Sequence, residues 1–353
     1  MSGPPFAPPP IAGLEFDAQE ISAAVRRHGL LSIELEMTHL CNLRCLYCYS
    51  RAGHQAQDEM SLAEIEDVVV QALSLGAKKV VILGGGEPLL YPQLRELVHL
   101  IRQLGAGVEL FTNGTVLTAD LAQFLYDEAV SVVIKRNSLS PQVQDELAGL
   151  PGTFARIETG LAHLLRAGYP GPNHGLGMQT IICRQNLPEI PDLWRWARSR
   201  GLQPYFECLT YQGRAVDHDG LLVSRQQLGV LFRRLSEIDR AEFGHDWQPH
   251  PPLAGAACRR HLYSILVKAN GDLYPCVGVE INLGNTRKDR LADVLRENPV
   301  VHDLRHVYEN LKGPCGTCRL TGECYGCRGN AFQLTGDHLA SDPLCWLGDH
   351  EGE

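Results

Sequence analysis

The chain has 353 residues, 44% of them hydrophobic, enough for two domains with a sizeable core. Its 41 acidic and 32 basic residues leave a net charge of −9, which gives no electrostatic reason to expect nucleic acid or an anionic membrane as partner. No stretch approaches the ~20 apolar residues of a membrane span, and the start, MSGPPFAPPPIAG, lacks the regions of a secretory signal. A cytoplasmic location is the default expectation. Twelve cysteines in a compartment that keeps thiols reduced point to metal ligation or redox work rather than disulfides.

In chain order, residues 1–30 read as a Pro-rich disordered arm and lead-in. Strands are expected over Ser32–Thr38, Lys79–Leu83, Gly107–Phe111, Ser131–Lys135, Leu176–Ile182 and Gln203–Cys208. Helices are expected over Ser61–Leu75, Pro92–Leu104, Ala119–Ala129, Phe154–Ala167, Leu187–Arg200 and Ser224–Asp239. Ser61 with Glu64 forms a capping box, and Pro92 suits a first helical position. Six β-then-α units in series imply parallel strands with right-handed crossovers. Being fewer than eight, they predict an α/β fold with a partial (β/α)6 TIM-like barrel over residues 31–215, a doubly wound sheet being the alternative. Residues 216–257 read as a linker helix and Pro-rich connection, and residues 258–353 as a small Cys-rich domain.

On the first strand Ser32, Glu34, Glu36 and Thr38 alternate with Ile33, Leu35 and Met37, so the polar set is expected to face the barrel interior. Buried carboxylates need partners, and Lys135 is a candidate. This layer is either structural or, through Glu34, Glu36, Lys135 or Glu207, a substrate or proton-transfer site. The isolated Cys183 and Cys208 read as small buried residues, with a ligand or thiol role open for Cys208 at the rim.

Cys41, Cys45 and Cys48 follow the first strand as CxxxCxxC. Three close cysteines without a fourth suit a [4Fe–4S] cluster with one open iron; a zinc site completed by His39 is the alternative. The turn GGGEP after the second strand lets backbone approach a ligand, and Glu87 supplies an acceptor for an ammonium group. In a βα barrel these segments share the C-terminal rim with residues 112–114, 136–138, 182–186 and 207–215.

CNLRCLYC, then GGGEP, then FTNGT resemble the radical S-adenosylmethionine (SAM) superfamily, over roughly Leu31 to the C-terminus. The resemblance implies that SAM chelates the open iron through its amino and carboxylate groups. Cleavage to a 5′-deoxyadenosyl radical and hydrogen abstraction from substrate would follow. By the same resemblance Cys41, Cys45 and Cys48 hold the cluster and Tyr47 packs near the adenine. Gly85, Gly86 and Glu87 take the methionine end, and Asn113 and Ser138 contact ribose or carboxylate. KRNSLS departs from the Ser-Leu-Asp-Gly type found at this point in many relatives.

NGDLYPC, CGTCRLTGECYGC and LTGDHLASDPLC resemble the SPASM extension of that superfamily, which carries auxiliary [4Fe–4S] clusters. Carried over by position, Cys315, Cys318, Cys324 and Cys345 hold one cluster, and Cys258, Cys276 and Cys327 the other, three clusters in all. Two fully Cys-ligated clusters need eight thiolates, and this domain offers seven. One iron is therefore open or takes another ligand, with His261 and Cys208 as candidates.

The resemblance implies an oxidoreductase or maturase that modifies an unactivated C–H of a peptide, with net oxidation or cross-linking. The same chemistry on a small molecule, such as a sugar, antibiotic precursor or haem-type tetrapyrrole, is the alternative. It also implies an external electron donor of flavodoxin or ferredoxin type. Only about thirty residues precede the first strand, so leader recognition by a separate protein is expected.

Overall fold

The computed structural model describes residue 11 and residues 15–347. Six parallel strands carry the barrel: β1 (Ser32–Thr38), β2 (Lys79–Gly85), β3 (Gly107–Thr112), β4 (Ser131–Lys135), β5 (Leu176–Ile182) and β6 (Gln203–Cys208). Their spatial order follows the chain without reversal. Right-handed crossovers then put the connecting helices on one face, and the sheet curls into an open barrel rather than the doubly wound alternative.

The helices form where amphipathic stripes meet caps. Ser61 Oγ accepts from Glu64 N at 3.3 Å and Glu64 Oε2 accepts from Ser61 N at 2.8 Å, the expected capping box, for the helix Leu62–Ser74. Pro92 does not open a helix: Pro88–Leu90 forms a 3₁₀ turn first, and the helix begins at Leu94. A helix over Pro141–Ala148, absent from the sequence expectation, is capped by Ser140 and ended by Gly149.

The alternation on β1 holds. Ile33, Leu35 and Met37 join Val80, Ile82, Val108, Leu110, Val132 and Ile134 in the core under the helices. Ser32, Glu34, Glu36 and Thr38 are buried on the other face. The barrel interior is plugged by Ile11, Val81, Phe111, Val133, Tyr205 and Leu253. Ile11 is 1% exposed and its N–H donates to Gln203 Oε1 at 2.9 Å, so the arm is anchored there and is not wholly disordered. Residues 1–10 and 12–14, the rest of that arm, lie outside the described residues. The lead-in contains a helix, Ala18–Arg26, capped by Asp17.

The Cys-rich segment is continuous with the barrel. β7 (Leu266–Val267) pairs parallel to β1, and β8 (Asp272–Tyr274) and β9 (Gly284–Asn285) extend the sheet antiparallel. At the other edge Cys208 N donates to Pro252 O and Ala254 N to Phe206 O, so the Pro-rich connection lies along β6. The helix Arg225–Ile238 is tied to the barrel through Asp239. This fully buried carboxylate accepts from Trp194 Nε1 (2.8 Å), Trp247 Nε1 (2.9 Å), Arg198 Nε (2.9 Å) and Arg198 Nη2 (2.6 Å). Among the described residues no helix is long and apolar enough to cross a membrane.

Removing the carboxylate strands the partly buried Arg198 guanidinium and two indole N–H groups. Asp239→Ala is expected to lower unfolding free energy by about 3–5 kcal/mol, read from denaturant midpoints.

Candidate active site

A cavity of about 200 Å³ opens at the C-terminal strand ends. Its wall includes Cys41, Cys45, Tyr47 and Cys48 from the loop after β1, Gly85–Glu87 after β2, Thr112 and Asn113 at β3, and Lys135 on β4. Strand five contributes Gln179 and Ile181, and the β6 side Glu207, Cys208 and Gln212. Strands four and five thus present residues within the strands, not the following loops expected from the sequence.

The cysteine loop has little regular structure and is fastened by two arginines. Arg44 Nη1 donates to Cys41 O (2.9 Å) and Leu43 O (2.8 Å). Arg214, arriving after β6, donates from Nε to Cys45 O (2.9 Å) and from both Nη atoms to Ala52 O (3.0 Å each), and its N–H donates to Cys48 O (2.9 Å). Gly213 has a φ of 55°, and a Cβ there would lie 2.3 Å from Cys48 O and Tyr49 O. The glycine lets the β6 exit close on the loop.

Burial pushes the Cys41 thiol up to about 12, helped by Glu87, Cys45 and Cys48. Burial also pushes Cys45 up, followed by Cys48, while Lys135 and Arg214 oppose it. Leu43 N donates to Cys41 Sγ at 3.5 Å. Such thiols become thiolates only when a cation arrives and displaces their protons. Among the described residues no three His, Cys, Asp or Glu side chains converge on a single metal ion; a four-iron cubane takes its thiolates at separate corners. His39 faces a second cavity, of about 310 Å³, and lies 3.9 Å from Glu36.

The GGGE turn is shaped by contact with the same loop. Gly85 has a φ of 60°, and a Cβ on Gly86 would lie 2.1 Å from Leu40 O. Glu87 is 1% exposed; Oε1 accepts from Thr112 Oγ1 (2.6 Å) and Leu89 N (3.0 Å), and Oε2 from Asn113 N (2.8 Å). A carboxylate has about four acceptor sites, so one remains for a ligand. Asn113 Nδ2 donates to Asn42 Oδ1 at 3.0 Å. The Tyr47 hydroxyl accepts from Asn137 Nδ2 at 2.6 Å, and Lys135 Nζ sits 5.1 Å from the centre of its ring.

Ser138 is a correction. It is fully buried away from the cavity wall, with Oγ donating to Glu189 Oε1 (2.5 Å) and accepting from Ser140 N (2.8 Å). Departing at KRNSLS, the chain uses this serine to build the entry of the next helix. Glu34 pairs with Arg260, whose Nη1 lies 2.9 Å from Glu34 Oε1, while the interior carboxylate that acts on Lys135 is Glu207. Cys183 is fully buried, in an apolar cluster with Tyr47.

The C-terminal cysteines fall into two groups. Cys258, Cys276 and Cys327 act electrostatically on one another, as do Cys315, Cys324 and Cys345, with Cys318 beside Cys324. Backbone N–H groups point at their sulfurs: Gly278 to Cys276 (3.4 Å), Leu320 to Cys318 (3.5 Å), Gly326 to Cys324 (3.2 Å) and Asn330 to Cys327 (3.4 Å). Burial pushes Cys276 and Cys345 up to about 12 and Cys324 to about 11. Buried thiols with donors aimed at sulfur fit iron–sulfur ligation. The His261 ring lies 5.7 Å from that of Tyr325, while Cys208 lies on the cavity wall within electrostatic reach of Cys327.

Arg214→Ala removes a clamp outside the thiols themselves. It is expected to weaken metal retention at the Cys41 loop on the order of 10–100-fold, measured as iron released to a chelator, with the C-terminal groups unaffected.

Two family models match the chain: the radical SAM superfamily over residues 35–197, and the SPASM iron–sulfur cluster-binding domain over residues 258–319. The chain is 26% identical over 339 residues to the AdoMet-dependent heme synthase of Methanosarcina barkeri, covering 89% of this chain and 95% of that protein. It is 28% identical over 337 residues to the PqqA peptide cyclase of Gluconobacter oxydans, covering 90% of each. The fold matches that of Streptococcus suis SuiB bound to S-adenosylmethionine with a TM-score of 0.69 at 17% identity, over 94% of this chain and 81% of that one. With both models matched in the expected order, the chain is an enzyme of the radical SAM superfamily that carries a SPASM iron–sulfur cluster-binding domain.

Proposed function

We propose that this enzyme binds a [4Fe–4S] cluster through Cys41, Cys45 and Cys48 and SAM in the 200 Å³ cavity, and oxidises or cross-links a peptide at an unactivated C–H. The observation that carries the reading is the convergence of these three thiols, the GGGE turn and Tyr47 on that cavity. When bound, cluster and SAM supply a 5′-deoxyadenosyl radical that abstracts hydrogen. The chain's own residues orient and enclose. Gly85, Gly86 and the free acceptor site of Glu87 receive the methionine amino group, and Lys135, which faces the cavity, answers its carboxylate. Tyr47 and Asn113 line the adenosine side, Tyr47 locked by Asn137.

Cys258, Cys276 and Cys327 hold one auxiliary cluster, and Cys315, Cys318, Cys324 and Cys345 the other. In this reading residues 31–215 are the radical SAM barrel, 216–257 the connection and 258–353 the auxiliary-cluster domain. Gln179, Glu207 and Arg260 line the same cavity beyond the residues given to SAM, polar groups for one presented substrate side chain. The rest of the substrate stays outside, as a peptide presenting one residue would. The second cavity, sharing Tyr49 and Gln212 with the first, offers a path for its backbone. The PqqA peptide cyclase likeness supports this class. A reducing cytoplasm, a flavodoxin- or ferredoxin-type donor and a separate leader-binding protein complete the system.

The second reading is a haem-type tetrapyrrole that inserts one peripheral substituent, favoured by 26% identity to a heme synthase over 95% of that protein's length. Anaerobic incubation with SAM, reductant and each candidate, followed by mass spectrometry, separates them. A mass loss or cross-link on peptide alone supports the first, and turnover of porphyrin alone replaces it. Cys41→Ala is expected to bring 5′-deoxyadenosine formation to background while iron at the C-terminal groups stays at wild-type level. Retained cleavage would remove the assignment.

A further inference from the structure

Arg260 stands between the barrel interior and the Cys258/Cys276/Cys327 group. Its Nη1 pairs with Glu34 Oε1 at 2.9 Å, and its Nη2 donates to the Tyr205 hydroxyl at 2.7 Å. Both Arg260 and Tyr205 line the active-site cavity. On the other side Arg260 is two residues from Cys258, and Cys258 packs against the apolar cluster that contains Tyr205 and Phe111. Val277, next to Cys276, is on the same cavity wall. The guanidinium acts on the thiols of both Cys258 and Cys276. Its side chain is 19% exposed and that of Glu34 only 7%, so solvent screens neither charge well.

We propose that Arg260 is a positioning residue for the auxiliary cluster nearest the substrate: its fixed positive charge makes that cluster easier to reduce, and its bonds to Glu34 and Tyr205 lock that cluster's site against the cavity wall. The inference rests on reading Cys258, Cys276 and Cys327 as a cluster site. Potentials of such clusters follow local net charge and hydrogen bonding. Glu34 sets how much of the charge is felt, because it neutralises the guanidinium in part. A link across 226 positions also makes the cluster's placement depend on β1.

The test is a redox titration of the full-length, anaerobically loaded enzyme, followed by electron paramagnetic resonance. The signal absent in Cys276→Ala identifies the cluster. Arg260→Met is expected to shift that midpoint to more negative potential and leave the others in place, while Arg260→Lys stays near wild type. Glu34→Gln, which keeps the guanidinium, is expected to shift it the opposite way. Equal shifts in Arg260→Met and Arg260→Lys, or none in Arg260→Met, overturn the charge role. Should Arg260→Met fail to load, an unshifted midpoint in Glu34→Gln overturns it instead. Wild-type protein with no signal lost in Cys276→Ala would sink the underlying ligand assignment, a distinct result.

Discussion

The structure depends on one constraint: three thiols, half-buried, are held in an irregular loop at the mouth of a curved sheet. Left neutral they are stable, as the upward push on Cys41 and Cys45 records. Ionised they require a concentrated positive charge close by. Everything around the loop serves that placement. Arg44 and Arg214 fix its carbonyls, Gly213 and Gly86 admit backbone where a methyl group would collide, and Glu87 ties the second strand's exit to the third. Leu43 N donates to Cys41 Sγ, Ser50 Oγ lies 3.4 Å from Cys48 Sγ, and all three cysteines line the cavity.

The barrel makes this economical in geometry. Strands in sequential order bring all six C-terminal ends to one rim, and the interior beneath is closed by Ile11, Phe111, Tyr205 and Leu253. A closed floor keeps water from entering below the cavity. The C-terminal domain then grows from the sheet itself, β7 beside β1 and β8 beside β7, and Cys276 follows two residues beyond β8. Arg260 and Glu34 turn that continuity into an electrostatic link.

Period and spacing made much of this legible. The six strands, the capping box at Ser61 and the Cys41, Cys45 and Cys48 triad each depend on residues within a few positions of one another. What could not be read depends on contacts across the chain. Arg260 meets Glu34 only because β7 lies beside β1. Arg214 appeared in the sequence as one more rim residue, and its role emerges from carbonyls about 160 positions away. Ser138 failed as a cavity residue because strand four ends at Lys135 and the next segment turns into a helix entry. Ile11 sits in a composition that reads as disordered, yet a single isoleucine fits the space over Gly177.

The central claim is an iron at the Cys41, Cys45 and Cys48 site with a coordination position free for SAM. Its most direct test is electron paramagnetic resonance of the reduced, anaerobically loaded full-length enzyme before and after SAM. The account predicts that SAM changes one cluster's signal, and that this signal is missing from Cys45→Ala while the others persist. Zinc at the triad, or a spectrum that SAM leaves unaltered, would contradict it.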